Sequence, residues 1–256
     1  MANIFNKKKY NYGIALGGGG ARGYAHLGIL QALQEKGIRP DILSGTSAGA
    51  IAGAYIASGK SPAEAFELFR KHRLIDFVQV RIPRTGLMNL DKLRIRLSED
   101  IKADDLKDLE IPFFVTVSDI RNGRVEYINE GPLVKMVQAS ASIPVLFSPV
   151  EIEGKILADG GIYDNVPVEP LRNVCEKLIA VNISPIQETD RLKNLIQIAA
   201  RTFHLSVNST INGLEDKCDL VIEPPALSEF DILDASRAQE AYDAGYEHCK
   251  NLDIDL

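Results

Sequence analysis

Short apolar runs alternate with helical patterns along the whole chain. Residues 12–16, 41–45 and 177–184 are mostly apolar, as in strands that are buried on both faces of a sheet. Between the first two runs, residues 24–36 carry apolar side chains at helical spacing, and Gly37 is a plausible end for that helix. Strands that alternate with helices predict a layered α/β domain with a mostly parallel sheet.

Two hairpins interrupt this alternation. Asn-Gly at 122–123 and Glu-Gly at 153–154 each stand between strand-like runs and predict tight turns. Residues 73–89 mix apolar side chains with Pro and Gly and are predicted to be irregular. Further helices are expected at 47–58, 61–72, 90–97, 133–141, 192–214 and 235–251, with a last strand at 219–225.

The length and composition fit one globular domain. The chain has 256 residues, of which 45% are hydrophobic, and a net charge of −6. We therefore expect a single domain over 1–256, with the functional motifs in 12–182 and packing helices plus one strand in 187–256. The mild acidity argues against nucleic acid as a partner. The sequence does not indicate an oligomeric state.

Nothing in the sequence predicts export or a membrane span. The N-terminal residues lack the apolar core of a signal peptide, and no apolar run reaches the roughly 18 residues needed to cross a bilayer. Cys175, Cys218 and Cys249 match neither a zinc site nor a disulfide framework, so we expect reduced thiols in a cytoplasmic protein. The lysines at 7–9 are interpreted as a solvated tail, with contact to a membrane surface as the alternative.

A run of four glycines follows the first strand. Gly18-x-Gly20-x-x-Gly23 lies between a strand and a helix and fits the spacing of a dinucleotide-binding loop. The acid that would hold a ribose is absent from the end of the second strand, and a phosphate-loop lysine is absent too. Arg22 places a positive charge beside this bare backbone. The loop is therefore predicted to bind a phosphate or a developing oxyanion.

A second motif, Gly45-Thr46-Ser47-Ala48-Gly49, follows the second strand and precedes a helix of small residues. G-x-S-x-G in this context is the pattern of a nucleophile elbow. The two glycines let strand and helix approach closely, and the helix N-terminus favours negative charge near the serine. The pattern predicts Ser47 as a nucleophile.

A third motif, Asp159-Gly160-Gly161, ends another strand, which is where α/β sheets place site residues. The order Ser47, Asp159, His204 would fit a catalytic triad, but residue 204 lies inside a helical pattern, and the elbow follows only two strands. His26 lies on a helix after the glycine loop and is expected to pack or cap there. The sequence therefore suggests a serine served by an aspartate alone.

Taken together and in this order, G-G-G-x-R-G at 18–23, G-x-S-x-G at 45–49 and D-G-G at 159–161 resemble the patatin-like phospholipase family. The likeness extends over about residues 12–182, and ARGYAHLGIL and ASASIPVLFSPV are similar to stretches of bacterial members. The resemblance implies a three-layer α/β/α fold and hydrolysis of lipid acyl esters by a Ser–Asp dyad. No metal and no cofactor are expected.

By that likeness Ser47 is the nucleophile and Asp159 its base, and the N–H groups of Gly18, Gly19 and Gly20 form the oxyanion hole. Donors of this kind contribute roughly 3–4 kcal/mol each in the transition state. A carboxylate with an ordinary pKa is a weak base for an alcohol, so a dry pocket is expected to raise the pKa of Asp159.

Two features have alternative interpretations. Arg22 either holds the glycine loop or meets a substrate phosphate. The apolar residues of 77–88 either form a lip that contacts a membrane surface or simply cover core. They are Phe77, Val78, Val80, Ile82, Leu87 and Met88.

The main prediction is a serine lipid acyl hydrolase of the phospholipase, lysophospholipase or carboxylesterase type. It is expected in the cytoplasm, with transient contact at the inner face of the membrane as an alternative. The rivals are an acyltransferase on the same scaffold, a non-catalytic lipid-binding regulatory module and a nucleotide-binding protein. The complete set of motif residues argues against a non-catalytic module. The absence of an acidic residue to bind a ribose and of a phosphate-loop lysine argues against a nucleotide-binding protein.

Overall fold

The computed structural model describes residues 9–70, 79–80, 88–189 and 192–256. The strands are β1 Tyr10–Leu16, β2 Ile42–Thr46, β3 Gln79–Val80, β4 Met88–Asn89, β5 Phe113–Asp119, β6 Arg124–Ile128, β7 Val150–Ile152, β8 Lys155–Asp159, β9 Cys175–Val181 and β10 Leu220–Ile222. The helices are α1 Tyr24–Glu35, α2 Ala48–Ala57, α3 Pro62–Arg70, α4 Asp91–Asp100, α5 Leu133–Ser140, α6 Leu195–Asn208 and α7 Ala238–Asn251.

Eight of these strands form one mixed sheet. Its order is β10-β9-β1-β2-β5-β8-β7, and β6 also pairs with β5. The first five strands of this order run parallel to one another. β6 and β8 run antiparallel to β5, and β7 runs antiparallel to β8. The mostly parallel sheet and both hairpins predicted from the sequence are confirmed.

The sheet is covered on both faces. Alternate strand residues point to opposite sides, so that Leu43 joins the core beneath the helices while its neighbour Ile42 joins a second, smaller cluster. The larger core includes residues of α1, α2, α3, α5 and α7. The smaller cluster is closed by turns that contain Val166, Leu171 and Leu214. The expected three-layer fold is confirmed, with one outer layer made largely of turns.

The C-terminal third is built into this core. α7 packs along α1 at a close crossing, since a Cβ on Gly28 would collide with the Tyr242 carbonyl and one on Gly245 with the Ala25 carbonyl. β10 extends the sheet beside β9. α7 and β10 thus pack against the N-terminal part of the chain.

The long helix predicted at 192–214 is shorter than expected. α6 begins after Asn194, whose side chain accepts a hydrogen bond from the N–H of Gln197. It ends before Ser209 and Thr210, whose hydroxyls donate to the carbonyls of Ser206 and Val207. Serine and threonine hydroxyls compete with the helical backbone in this way, and the apolar pattern alone does not show it.

The segment predicted to be irregular contains a short antiparallel pairing of β3 with β4. The side chains of the predicted apolar lip, Phe77 to Met88, lie outside the described residues. Within the described residues, no helix has the length and apolar character needed to cross a membrane.

Candidate active site

Ser47 lies at a sharp turn between β2 and α2. Its backbone angles are φ 54° and ψ −118°, a conformation that residues other than glycine rarely adopt. A Cβ on Gly45 would lie 2.5 Å from the Gly49 carbonyl oxygen, and one on Gly49 would collide with the carbonyl of Leu16. The turn therefore requires glycine two residues before and two residues after Ser47, which gives the G-x-S-x-G spacing a steric cause.

Ser140, at the end of α5, supports this turn. Its hydroxyl accepts a hydrogen bond from the Ser47 N–H at 2.9 Å and donates one to the Thr116 carbonyl at 2.7 Å. Ser140 is fully buried, and these two hydrogen bonds satisfy its hydroxyl group in the core. The hydroxyl thus ties the strained turn to β5. Ser140 was not predicted as a site residue, although it lies in the stretch ASASIPVLFSPV that carried part of the resemblance.

Asp159 reaches Ser47 because β2 and β8 meet end to end. Thr46, the last residue of β2, pairs with Thr116 of β5, and Asp159, the last residue of β8, pairs with Val117. Both strands lie on the edge of β5 that faces away from β6, since β6 pairs with the same β5 residues on the other edge. Because β2 and β8 run in opposite directions and their carboxyl ends meet, the Asp159 carboxylate lies close to Ser47.

The Asp159 carboxyl is completely buried. Its Oδ1 accepts a hydrogen bond from the Gly161 N–H at 2.9 Å, while Oδ2 has no hydrogen-bond partner in the described part of the chain. Burial raises the pKa of Asp159 to about 7, and the nearby Ser47 hydroxyl and the Gly161 N–H offset part of that rise. The carboxylate is thus poised to exchange a proton near neutral pH.

The glycine loop lies directly against Ser47, and a Cβ on Gly18 would stand 3.2 Å from the Ser47 Cβ. The Gly18 carbonyl accepts a hydrogen bond from the Ser184 hydroxyl at 2.6 Å. The Gly18 N–H donates to the Asn165 carbonyl at 3.1 Å and is therefore not free for a ligand in this structure. Of the three expected donors, Gly19 and Gly20 have N–H groups without an acceptor among the described residues.

Arg22 is buried beneath the loop and contacts the C-terminal part of the chain. Its guanidinium donates to the carbonyls of Phe230 and Pro185, each at 2.9 Å, and to that of Ser228 at 3.4 Å. Burial lowers the pKa of Arg22 to about 10, so the side chain remains a cation at neutral pH. Of the two interpretations of Arg22, this geometry fits the one in which it holds the loop. The neighbouring Gly23 packs against α2, where an added Cβ would stand 2.8 Å from the Ala48 Cβ.

His26 and His204, the two histidines considered in the sequence analysis, each have a ring nitrogen close to a backbone carbonyl oxygen. Nε2 of His26 is 2.7 Å from the Gly17 carbonyl oxygen, and Nε2 of His204 is 3.2 Å from that of Ser184. Burial lowers the pKa of each to about 4, so both rings are neutral at physiological pH. His204 does lie within a helix, as its sequence context predicts, but it also borders the cavity at Ser47.

Ser47 and Asp159 share a small cavity of about 20 Å³. Its roof comes from the C-terminal third, to which the sequence analysis gave no functional role. The roof residues are Phe203, His204, Val207 and Ile232. Ser184 could have been anticipated, because it follows the carboxyl end of β9, where sites in α/β sheets lie. The roof residues could not have been anticipated, because they come from distant parts of the sequence.

Comparisons with known proteins agree with this architecture. Residues 14–172 match the family model for patatin-like phospholipases. An uncharacterised NTE family protein of Mycobacterium tuberculosis is 33% identical over 174 residues, which cover 67% of this chain and 48% of that protein. Lysophospholipase NTE1 of Cryptococcus neoformans is 27% identical over 256 residues, which cover 86% of this chain and 16% of that protein.

The chain thus spans about half the length of the mycobacterial relative and a smaller share of the fungal one. Among solved structures, VipD from Legionella pneumophila has a similar fold, with a TM-score of 0.55 and 18% sequence identity. That match covers 97% of this chain and 71% of VipD.

Proposed function

The chain belongs to the patatin-like phospholipase family, and from that premise we propose that it hydrolyses acyl esters of lipids with Ser47 as nucleophile and Asp159 as its base. The observation that carries the proposal is their meeting in one buried cavity. Ser47 is held in a strained turn, and Asp159 offers an unpartnered carboxylate oxygen whose pKa is raised to about 7.

In the first half-reaction, the Ser47 hydroxyl attacks the ester carbonyl while Asp159 accepts its proton. The tetrahedral intermediate then collapses, the bond to the leaving alcohol breaks, and that alcohol takes the proton from Asp159. In the second half-reaction, water attacks the acyl-enzyme, Asp159 accepts the water proton, and that proton returns to Ser47 as the fatty acid leaves. The raised pKa suits this double role, since a base with a pKa near 7 both accepts and returns protons at neutral pH.

The negative charge on the carbonyl oxygen needs donors. We assign this role to the N–H groups of Gly19 and Gly20, which have no acceptor within the described residues. Ser184 and Asn165 hold the carbonyl and the N–H of Gly18, so the loop is already in place before substrate binds. The N-terminus of α2 adds a favourable potential near Ser47.

A lysophospholipid is the substrate class that we propose to test first, because the fungal relative carries the name lysophospholipase. The test compares wild type, Ser47→Ala and Ser58→Ala, a matched serine at the far end of α2. We expect a fluorophosphonate to label wild type and Ser58→Ala but not Ser47→Ala, with the same pattern for fatty acid release from lysophosphatidylcholine. Labelling and turnover that survive in Ser47→Ala would overturn the proposal.

A further inference from the structure

Helix α6 is apolar on two sides. Its inner side contributes Phe203, His204 and Val207 to the roof of the reaction cavity. Its outer side carries Leu195, which is 66% exposed, and Ile198 and Leu205, which are about half exposed. Two exposed residues beside them, Thr202 and Ser206, are polar but uncharged, whereas a surface helix normally places charged residues outward.

The outward side of α6 is almost free of charge. Arg201 is the one Asp, Glu, Lys or Arg within Leu195–Asn208, and it lies at the flank with its guanidinium donating to the Gln187 carbonyl. Six of the ten large apolar side chains that are exposed in the described part of the chain fall between residues 186 and 205. Exposed apolar groups concentrated in this way mark an interaction surface.

The reaction cavity is too small for the proposed substrate. A volume of about 20 Å³ is enough for roughly one water molecule, whereas sites for organic ligands span about 300–1,000 Å³. His204 and Ile232 also border an adjacent cleft of about 330 Å³. Moving α6 outward would remove part of this shared wall and join the cavity to the cleft. An outward displacement of α6 would thus open a path for an acyl ester to Ser47.

We propose that the outward face of α6, formed by Leu195, Ile198 and Leu205, docks on a lipid–water interface and that docking draws the helix away from Ser47. This inference rests on the proposed function, because a lipid interface is where an acyl ester of a lipid resides. A second copy of the chain on the same face would hold α6 in place over the cavity, whereas a lipid surface covers the apolar face and also presents substrate.

The charges near α6 favour an uncharged or zwitterionic lipid surface. The cleft beside the helix is lined by Arg22 and Arg201 and by Glu188, Glu229 and Asp231, and Lys193 precedes α6. Acids and bases balance among these described groups, so they form no cationic patch beside the apolar stripe. Binding to anionic membranes relies on clustered lysine and arginine, and salt screens it. Docking through α6 is therefore expected to change little with salt.

The experiment measures co-sedimentation with phosphatidylcholine vesicles at low and high salt. All proteins carry Ser47→Ala, so that vesicles stay intact and binding is measured without turnover. The test variant adds Leu195→Gln, Ile198→Gln and Leu205→Gln, which preserve helix propensity. The matched control adds Ile95→Gln and Ile120→Gln, which replace exposed apolar residues on other elements. Thermal unfolding checks folding, and Leu195→Gln alone serves if the triple variant is not folded.

We expect the parent protein, which carries Ser47→Ala alone, and the control to bind vesicles equally well at both salt concentrations. The α6 variant should bind more weakly by a factor on the order of ten or more. Equal binding by the α6 variant and the control would overturn the inference. If the parent protein does not bind vesicles but dimerises through α6 in sedimentation velocity, the inference is overturned, and a second copy of the chain is the partner of this face. Vesicle binding through α6 without fluorophosphonate labelling of wild type would instead overturn the hydrolase proposal and leave the docking surface standing.

Discussion

Ser47 and Asp159 are brought together by two strands that meet end to end along one edge of β5. Thr46, just before Ser47, pairs with Thr116, and Asp159 pairs with the next residue, Val117. The sheet itself therefore fixes the separation of the two side chains, and loops have little freedom to change it. Sites held by rigid elements keep reactive groups in place at small entropic cost.

Replacing Asp159 with Asn tests the proposed base with almost no change of shape. The amide oxygen can still accept the Gly161 N–H, but the side chain can no longer take a proton from Ser47. We expect kcat for ester hydrolysis to fall by roughly 10²–10⁴-fold, as for removal of a general base. The measurement is steady-state turnover of a soluble p-nitrophenyl ester. Activity close to wild type would show that another group serves Ser47.

The raised pKa of Asp159 predicts the pH dependence of activity. Because the base acts when deprotonated, kcat/KM should rise with pH through about 7 rather than about 4. The neutral rings of His26 and His204, whose pKa values are near 4, should add no step between pH 6 and 8. A pH–rate profile of wild type checks this, and a single step near pH 4 would contradict a desolvated carboxylate.

The same shift predicts a loss of stability with rising pH. The folded-state pKa of Asp159 lies above its ordinary value of 3.8, so between about pH 4 and pH 7 the unfolded chain releases this proton first and is favoured. The amide introduced by Asp159→Asn does not ionise, so this variant should be more stable than wild type at pH 8, by an amount on the order of a few kcal/mol, but not at pH 4. Urea unfolding at both pH values measures it, and an equal difference at both would exclude ionisation as the cause.

Ser140 is predicted to position Ser47. Ser140→Ala would leave the Ser47 N–H and the Thr116 carbonyl buried without their partner, at a cost of about 1–3 kcal/mol, and would release the strained turn. Ser142→Ala is the matched control, since that buried hydroxyl donates to the Gln138 carbonyl and does not contact the turn. We expect a larger fall in kcat for Ser140→Ala than for Ser142→Ala at comparable KM. If both variants lower kcat equally, Ser140 contributes only to packing and does not position Ser47.

Arg22 is predicted to hold the C-terminal third against the glycine loop. Arg22→Lys keeps the charge but cannot supply the planar set of donors that reaches Pro185, Ser228 and Phe230. We expect it to be destabilised by roughly 2 kcal/mol or more and to exchange amide hydrogens faster around residues 225–233. Unchanged stability with a raised KM for phospholipids alone would favour the alternative, contact with a substrate phosphate.

The sequence determined the fold class and the candidate reactive residues, because both rest on local patterns. Buried strands alternating with helices indicate a parallel sheet, and Gly45 and Gly49 mark a turn whose steric demands extend only a few residues. The tight turns at 122–123 and 153–154 were predictable for the same reason.

The tertiary structure alone decided what surrounds these residues. Ser184, Phe203 and Ile232 reach the cavity from positions far along the chain, and Arg22 finds its acceptors more than 160 residues away. No local pattern encodes such contacts, because they depend on how β9, α6 and the segment before α7 pack around the sheet. The meeting of β2 with β8 is likewise a matter of strand order and register, which the sequence of neither strand determines.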